Sequence, residues 1–201
     1  MSTSTTATEG QVGPRNLPPF RADHVGSLLR PRELTDARAA RKAGTLSEDA
    51  LRAVEDRCIS AAIRRQEEIG LRAATDGEYR RAFWHFDFVS GLDGVELYEP
   101  EQKVQFKGGL PLPLALRVTG KIGWGRPVMV DDYRFVAGHV RSAMPKMTIP
   151  SPSVVHFRGG RQAIDPKTYP DMDGFFADLG EGYNKAVAAF GATGCRYLQL
   201  D

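Results

Sequence analysis

The chain alternates short apolar segments with longer amphipathic ones, and this alternation limits the fold more than any other feature. Four segments have the length and composition of strands: Phe20–Leu29, Ala73–Tyr79, Lys146–Pro152 and Arg196–Asp201. Between them, apolar residues recur at helical spacing. Strands that alternate with helices favour a parallel sheet covered by helices. The sequence therefore predicts an α/β fold with about four parallel strands.

End signals and apolar faces predict four helices. The second has a capping box, Thr45 with Glu48 three residues later, and Gly70 as its stop. The segment Val104–Trp124 mixes glycine and proline with alternating apolar residues, which predicts a β-hairpin insertion. The predicted helices are Arg32–Lys42, the segment between Thr45 and Gly70, Val128–Ser142 and Asp173–Phe190.

Residues 1–19 are rich in serine, threonine, glycine and proline and contain no apolar stretch typical of a signal sequence. We expect them to form a disordered N-terminal tail. No internal repeat or further linker divides residues 20–201, so a single domain is expected there.

Composition excludes several classes of protein. Hydrophobic residues make up 41% of the 201 residues, too many for a disordered chain. The 27 lysines and arginines nearly balance the 25 acidic residues, so no excess of one charge indicates a nucleic acid or a membrane as a partner. No apolar run approaches the roughly 18 residues that span a bilayer. We expect a cytoplasmic protein whose Cys58 and Cys195 are reduced.

Polar residues gather where three of the predicted strands end. His24-Val25-Gly26-Ser27 follows the first strand, Asp76-Gly77-Glu78 follows the second, and Asp201 ends the fourth. Functional groups of parallel α/β folds collect at this edge. Gly26 would let the backbone approach a ligand closely, and the carboxylates of Glu78 and Asp201 could bind a ligand cation such as an amino group. The alternative is that each is a solvated turn residue or a helix cap.

Three groups of residues resemble the catalytic barrel of cobalamin-independent methionine synthase, and most closely its short single-barrel homologues. They are residues 20–31 (FRADHVGSLLRP), 75–81 (TDGEYRR) and 197–201 (YLQLD). They occur in the family's order. The resemblance implies the N-terminal half of a (β/α)8 barrel over residues 20–201. It also implies a methyltransferase that moves a methyl group from a folate to homocysteine or a related thiol bound to zinc.

The resemblance also assigns roles to residues. Val25, Gly26 and Ser27 would contact the thiol amino acid, largely through backbone, while Glu78 and Asp201 would hold its amino end. His24 and Asp76 would lie in the adjacent shell. The family's zinc ligands, a His-x-Cys pair, a Glu and a later Cys, follow the fourth strand. They are therefore expected downstream of Asp201, and no metal ligand is expected within this chain.

Other readings stay open. The family's folate-stacking tryptophan has no counterpart in residues 151–158, where Phe157 or His156 would have to replace it. One alternative is therefore an epoxide or alkyl:thiol transferase of the same superfamily. Another is a non-catalytic binding fragment, because half a barrel would be inactive alone. Half a barrel would also expose strand edges, from which self-association is expected.

Overall fold

The computed structural model describes residues 17–18, 20, 22–101 and 114–201, which form a mixed α/β fold. The helices described are α1 (Arg32–Lys42), α2 (Glu48–Glu68), α3 (Phe86–Val89), α4 (Val130–His139) and α5 (Met172–Ala192). The strands are β1 (Ala73–Ala74), β2 (Asp93–Tyr98), β3 (Ala115–Gly123), β4 (Met144–Pro145), β5 (Met147–Ile149) and β6 (Leu198–Leu200). Two 3-10 helices follow β5, at Pro152–Val155 and Gly160–Ala163.

Parallel pairing joins three parts of the chain in one row. β1 pairs with β4, and β5 pairs with β6. Only Lys146 separates β4 from β5, and its N–H continues the first pair by donating to the Ala74 carbonyl at 2.9 Å. The next N–H, of Met147, donates to the Tyr197 carbonyl at 3.0 Å. Successive N–H groups of a strand point to opposite edges, so residues 144–149 have β1 on one side and β6 on the other.

These pairs confirm the predicted α/β class. Each pair is only two or three residues long, so the pairs do not by themselves establish half of a barrel. The first predicted strand, Phe20–Leu29, is not formed: residues 22–31 contain no strand. In its place, carbonyls of this segment accept hydrogen bonds from side chains of the neighbouring strands and loops. The segment therefore lies across the strand ends instead of pairing along a strand.

The predicted hairpin insertion is present, but it begins earlier in the sequence. β2 and β3 pair antiparallel, with Tyr98 opposite Ala115 and a register shift near Asp93. The first strand of the hairpin, Asp93–Tyr98, precedes the predicted start at Val104. Residues 102–113 lie outside the described residues, as do residues 1–16 and 19 of the predicted tail.

The long helices begin at caps of the expected type but at different positions. Ser47, and not Thr45, caps α2, because its hydroxyl accepts the Ala50 N–H at 3.2 Å. Thr45 instead donates its hydroxyl to the Ala40 carbonyl. Asp171 caps α5 by accepting the Gly174 N–H at 2.9 Å.

Within the described part of the chain, no helix is both long and apolar enough to span a membrane.

Two apolar clusters hold these elements together. The larger joins α5 to the hairpin and β5, and the smaller joins α1, α2 and α4 to β1. Fully buried members of the larger cluster include Tyr133, Ile149 and Phe175, and those of the smaller include Leu34 and Ile63. Helices therefore cover the short strands through two separate cores.

A single carboxylate fixes the chain where it leaves α4. Oε1 of Glu67, near the end of α2, accepts the backbone N–H groups of Arg141, Ser142 and Ala143 at 2.7, 2.7 and 2.9 Å. These N–H groups, that of Ser142 above all, outweigh partial burial and lower the pKa of Glu67 to about 2. The contact ends α4 earlier than the predicted Ser142 and sets the position at which β4 begins.

We expect Glu67→Gln to lower the free energy of unfolding by about 1 kcal/mol at neutral pH, a value discounted for solvent exposure. Because the pKa of Glu67 is depressed by folding, its contribution is complete above the ordinary glutamate pKa and is lost as the pH falls towards about 2. Urea unfolding across this pH range measures the difference. The control is Glu68→Gln, whose carboxylate is exposed and pairs with Arg65 at 3.5 Å. Equal stability of the two variants at neutral pH would contradict the assignment.

Candidate functional site

The segment Val25–Ser27 is hydrogen-bonded to residues at the ends of two strands. Thr148 in β5 donates its hydroxyl to the Val25 carbonyl at 2.5 Å, and Thr75, just after β1, donates its hydroxyl to the Gly26 carbonyl at 2.8 Å. Leu28 donates its N–H to the Gly77 carbonyl at 3.1 Å. The structure therefore places Val25–Ser27 at the carboxyl edge of the parallel strands, where the sequence predicted the site.

Gly26 is required by the closeness of this packing. A Cβ at position 26 would lie 3.0 Å from the Thr148 hydroxyl oxygen and 3.6 Å from the Thr75 methyl group. The segment can approach both threonines only because it has no side chain at this point.

The turn after β1 is held in an unusual backbone conformation. Gly77 and Glu78 have φ angles of 67° and 58°, and Glu78 is one of two described residues other than glycine with positive φ. Asp76 supports the turn, because its Oδ1 accepts the Glu78 N–H at 2.8 Å. A left-handed conformation costs a residue with a side chain about 1 kcal/mol. The strain falls on one of the predicted substrate-binding residues.

The Glu78 carboxylate is buried beside a cation. Only 3% of the residue is exposed, and Oε1 lies 3.3 Å from Nη1 of Arg81. Burial raises the pKa of Glu78, and neither the Arg81 guanidinium nor the Ser27 hydroxyl fully offsets this effect. Ser27 therefore connects the Val25–Ser27 segment to Glu78. The site combines a desolvated carboxylate with backbone polar groups, an arrangement suited to an amino acid's ammonium and carboxylate.

Two arginines outside the predicted set of site residues hold the Val25–Ser27 segment and the Glu78 turn in place. Arg81 donates from Nη2 to the Thr148 carbonyl at 2.6 Å, which ties the turn to β5. Arg30 donates from Nη2 to the carbonyls of Glu78 and Arg81 at 2.9 and 2.8 Å. Both lie within the motifs that carry the resemblance. The spacing of three residues between Glu78 and Arg81 is the sequence signal that could have found the ion pair.

His24 has a defined orientation. Its Nε2 lies 2.7 Å from Oε1 of Gln66, and that amide is fixed because it also bonds the N–H and carbonyl of Thr75, each at 3.0 Å. Since Oε1 can only accept, Nε2 carries the proton. His24 and the Thr75–Asp76 turn thus share one support, Gln66, which nothing in the sequence pattern indicated.

Asp201 lies at the same edge but is connected differently. Its N–H donates to the Ile149 carbonyl at 2.9 Å and its carbonyl accepts the Ser151 N–H at 2.6 Å. Its carboxylate is exposed and accepts a hydrogen bond from Gln199. The structure therefore joins Val25–Ser27 to Glu78 directly, whereas the backbone hydrogen bonds of Asp201 are with Ile149 and Ser151 at the end of β5.

A small apolar cavity lies beside this edge. It encloses about 170 Å³, and its mostly apolar lining includes one imidazole and one guanidinium. Burial, with the charge of Arg158 adding to it, lowers the pKa of His85 to about 4, so its ring is neutral at pH 7. Its lining includes His85, Phe86, Tyr98, Leu116, Val154 and Arg158.

The two candidate replacements for the family's tryptophan differ in exposure. Phe157 is 55% exposed, and the Arg158 guanidinium carbon lies 5.2 Å from its ring centroid. His156 is half-buried, with its ring edge-on to Phe175 and Phe176. Only Phe157 of the two presents a ring face of substantial area to a ligand.

The described residues, 17–18, 20, 22–101 and 114–201, contain no group of three or more His, Cys, Asp or Glu side chains that could hold a metal ion.

Known proteins similar to this chain include an uncharacterised bacterial protein and a methionine synthase. The chain is 44% identical over 201 residues to the uncharacterised protein YxjG of Bacillus subtilis, covering 100% of this chain and 53% of the relative. It is 24% identical over 185 residues to a methionine synthase of Sulfurisphaera tokodaii, covering 92% of this chain and 52% of that protein. No protein-family model matches the chain.

A solved structure from Listeria monocytogenes, assigned as a vitamin-B12-independent methionine synthase, superposes with a TM-score of 0.78. It shares 38% sequence identity with this chain, and the match covers 92% of this chain and 52% of that one. The chain thus spans about half the length of the relatives it matches.

We expect Gly26→Ala to lower the free energy of unfolding by about 1–3 kcal/mol, because the added methyl group overpacks the contact with Thr148. Gly180→Ala is the matched control, since a Cβ at that helical position meets nothing within 4 Å. The control should raise stability by up to about 1 kcal/mol. Thermal or urea unfolding of both variants gives the comparison, and a Gly26→Ala protein as stable as the original would contradict the packing described.

Proposed function

We propose that this chain belongs to a methyltransferase and binds its substrate, a thiol amino acid. The premise is that its homologues and structural neighbours are cobalamin-independent methionine synthase-like. The substrate would be homocysteine or a related thiol. The observation that carries the proposal is the direct link between the Val25–Ser27 segment and the buried carboxylate of Glu78 at the carboxyl edge of the strands.

In the proposed complex the substrate ammonium pairs with the ionised Glu78. A carboxylate that has already lost its water gains more from a cation than an exposed one does, because the local dielectric constant is low. Backbone N–H groups of Val25, Gly26 and Ser27 would donate hydrogen bonds to the substrate carboxylate. Asp201, exposed at the end of the neighbouring strand pair, would complete the ammonium site. His24 and Asp76 would act on it only by positioning the segment and the turn.

The larger framework of the proposal is the N-terminal half of a (β/α)8 barrel. The three parallel segments, helices on their flanks and functional groups at their carboxyl edge support it. Zinc would supply a thiolate nucleophile at neutral pH by lowering the thiol pKa. Its ligands would lie downstream of Asp201, so residues 17–201 would bind and orient the substrate without activating its sulfur, and would be inactive alone.

The donor site of the proposal is the cavity beside His85 together with the exposed ring of Phe157, which lies against Arg158 of the cavity lining. A folate exceeds the roughly 170 Å³ that the cavity encloses, so its ring system would have to lie against Phe157. A small alkyl donor, as in the epoxide or alkyl:thiol transferase alternative, fits within the cavity. The volume of the cavity is the observation that supports the epoxide or alkyl:thiol transferase as a second candidate function.

We also propose that the chain self-associates through a strand edge. The pairing described for β6 is with β5 alone, and Leu200 in that strand is 46% exposed. An unpaired strand edge beside an exposed apolar side chain favours pairing with a second chain. Dimers on size-exclusion chromatography would support this expectation, and a monomer at high concentration would oppose it.

We expect Glu78→Gln to weaken homocysteine binding by at least about tenfold without lowering stability. Because burial raises the pKa of Glu78, ionising this carboxyl costs more free energy in the folded chain than in the unfolded one, and a neutral amide does not carry that cost. For the same reason, the affinity of the original chain should decline on acidification at a higher pH than an ordinary glutamate would cause. Isothermal titration calorimetry and thermal unfolding measure the two effects.

The control is Glu181→Gln, an exposed carboxylate on α5 that pairs with Lys185. It should change neither affinity nor its pH dependence. Unchanged homocysteine binding in Glu78→Gln would exclude Glu78 as the ammonium partner.

For the donor, we expect Phe157→Ala to weaken binding of 5-methyltetrahydrofolate by about threefold or more, because a stacking face is lost. Homocysteine affinity should not change. Trp84, whose ring lies 4.6 Å from that of His85, provides a fluorescence signal beside the cavity. Val187→Ala, an exposed apolar truncation on α5, is the control. Folate binding that is unaffected by Phe157→Ala would exclude Phe157 as the stacking face, whereas no folate binding by the original chain would favour a small alkyl donor.

A further inference from the structure

The chain contains a completely buried lysine next to the proposed substrate site. The Lys146 side chain is 0% exposed and lies between β4 and β5. Its Nζ donates to both carboxylate oxygens of Asp23, at 3.3 and 3.2 Å, and to the His24 carbonyl. A buried ammonium is stable only when such partners replace its water. Nothing in the proposed binding of the substrate uses this group.

Strand alternation directs Lys146 towards the substrate-binding segment. Side chains two residues apart share one face of a strand, and both Lys146 and Thr148 bond carbonyls of residues 24–25. Met147 and Ile149 lie on the other face and belong to the larger apolar core. Lys146 and Thr148 therefore place two donors on the face opposite the core, and both hold the segment at residues 24–25.

Tyr197 connects this cluster to the start of a second strand. Its hydroxyl donates to the Asp23 carboxylate, and its ring centroid lies 4.7 Å from Nζ of Lys146. Burial opposes the charge of Asp23, but the Tyr197 hydroxyl, the His24 N–H and the Lys146 ammonium outweigh it and lower the pKa of Asp23. Tyr197 directly precedes β6, the strand that leads to Asp201.

We propose that Lys146, Asp23 and Tyr197 form a clamp that sets the distance between the Val25–Ser27 segment and β6, the strand that leads to Asp201. Lys146 is then a positioning residue: it touches no substrate, but it fixes the two sides of the site that do. This inference rests on the proposed function for its effect on binding. The clamp itself is a property of the folded chain and can be tested without any ligand.

The experiment compares Lys146→Met in the 201-residue chain with Lys185→Met, which removes an exposed ammonium on α5. Hydrogen–deuterium exchange is followed in peptides covering residues 23–28, where the Leu28 N–H bonds the Gly77 carbonyl. We expect exchange about tenfold faster in Lys146→Met and unchanged in Lys185→Met. Tyr197→Phe, which keeps the ring and removes only the hydroxyl, should give a smaller increase and guards against a failure of the first variant to fold.

A second measurement separates positioning from general destabilisation. Ile63→Val lowers stability from the smaller core, away from the clamp, and serves as a destabilised reference. Homocysteine affinity, measured by calorimetry, should fall about tenfold in Lys146→Met and stay unchanged in Ile63→Val.

The outcomes are distinct. Unchanged exchange over residues 23–28 in both Lys146→Met and Tyr197→Phe would overturn the clamp. Faster exchange with homocysteine affinity no lower than in Ile63→Val would overturn the positioning role. If the original chain binds no thiol amino acid, the proposed function has failed, and the exchange data still decide whether the clamp exists.

Discussion

The site depends on side-chain hydrogen bonds that hold one segment across the ends of the strands. Residues 22–31 form no strand, so the usual backbone ladder does not position them. Thr75, Lys146 and Thr148 replace that ladder by donating to three consecutive carbonyls, those of Gly26, His24 and Val25 respectively. Each donor is buried, so water competes weakly for the bond. Backbone polar groups of the segment are thereby kept at a fixed place, as binding of an amino acid's main chain requires.

The part of the site formed by Glu78 opposes the stability of the folded chain. Glu78 combines a left-handed backbone with a buried carboxylate whose pKa burial has raised. Both features oppose stability, and the surrounding contacts with Arg81, Ser27 and Asp76 retain them. Such conflict is common at functional sites, where a group is kept ready for a ligand at the expense of the empty protein. An ammonium ion is the ligand that would relieve it.

The sequence predicted the fold class, the hairpin and the long helices, because periodicity and caps are local signals. It placed residues 24–27 and 76–78 at one edge of the sheet because each was expected to follow a strand, but only residues 76–78 do so. It failed for the strand at Phe20–Leu29, because the apolar pattern there matches a strand while the actual bonds come from distant threonines and Lys146. Gln66, Arg30 and Lys146 lie on other elements, and no local pattern indicates that they support the site.

The proposal that the Val25–Ser27 segment and Glu78 together bind a thiol amino acid can be tested by a crystal structure of the chain grown with homocysteine. We expect the substrate ammonium within hydrogen-bond distance of the Glu78 carboxylate, and the substrate carboxylate on backbone N–H groups of residues 25–27. Homocysteine bound elsewhere, such as in the cavity beside His85, with Glu78 still paired only to Arg81, would contradict it.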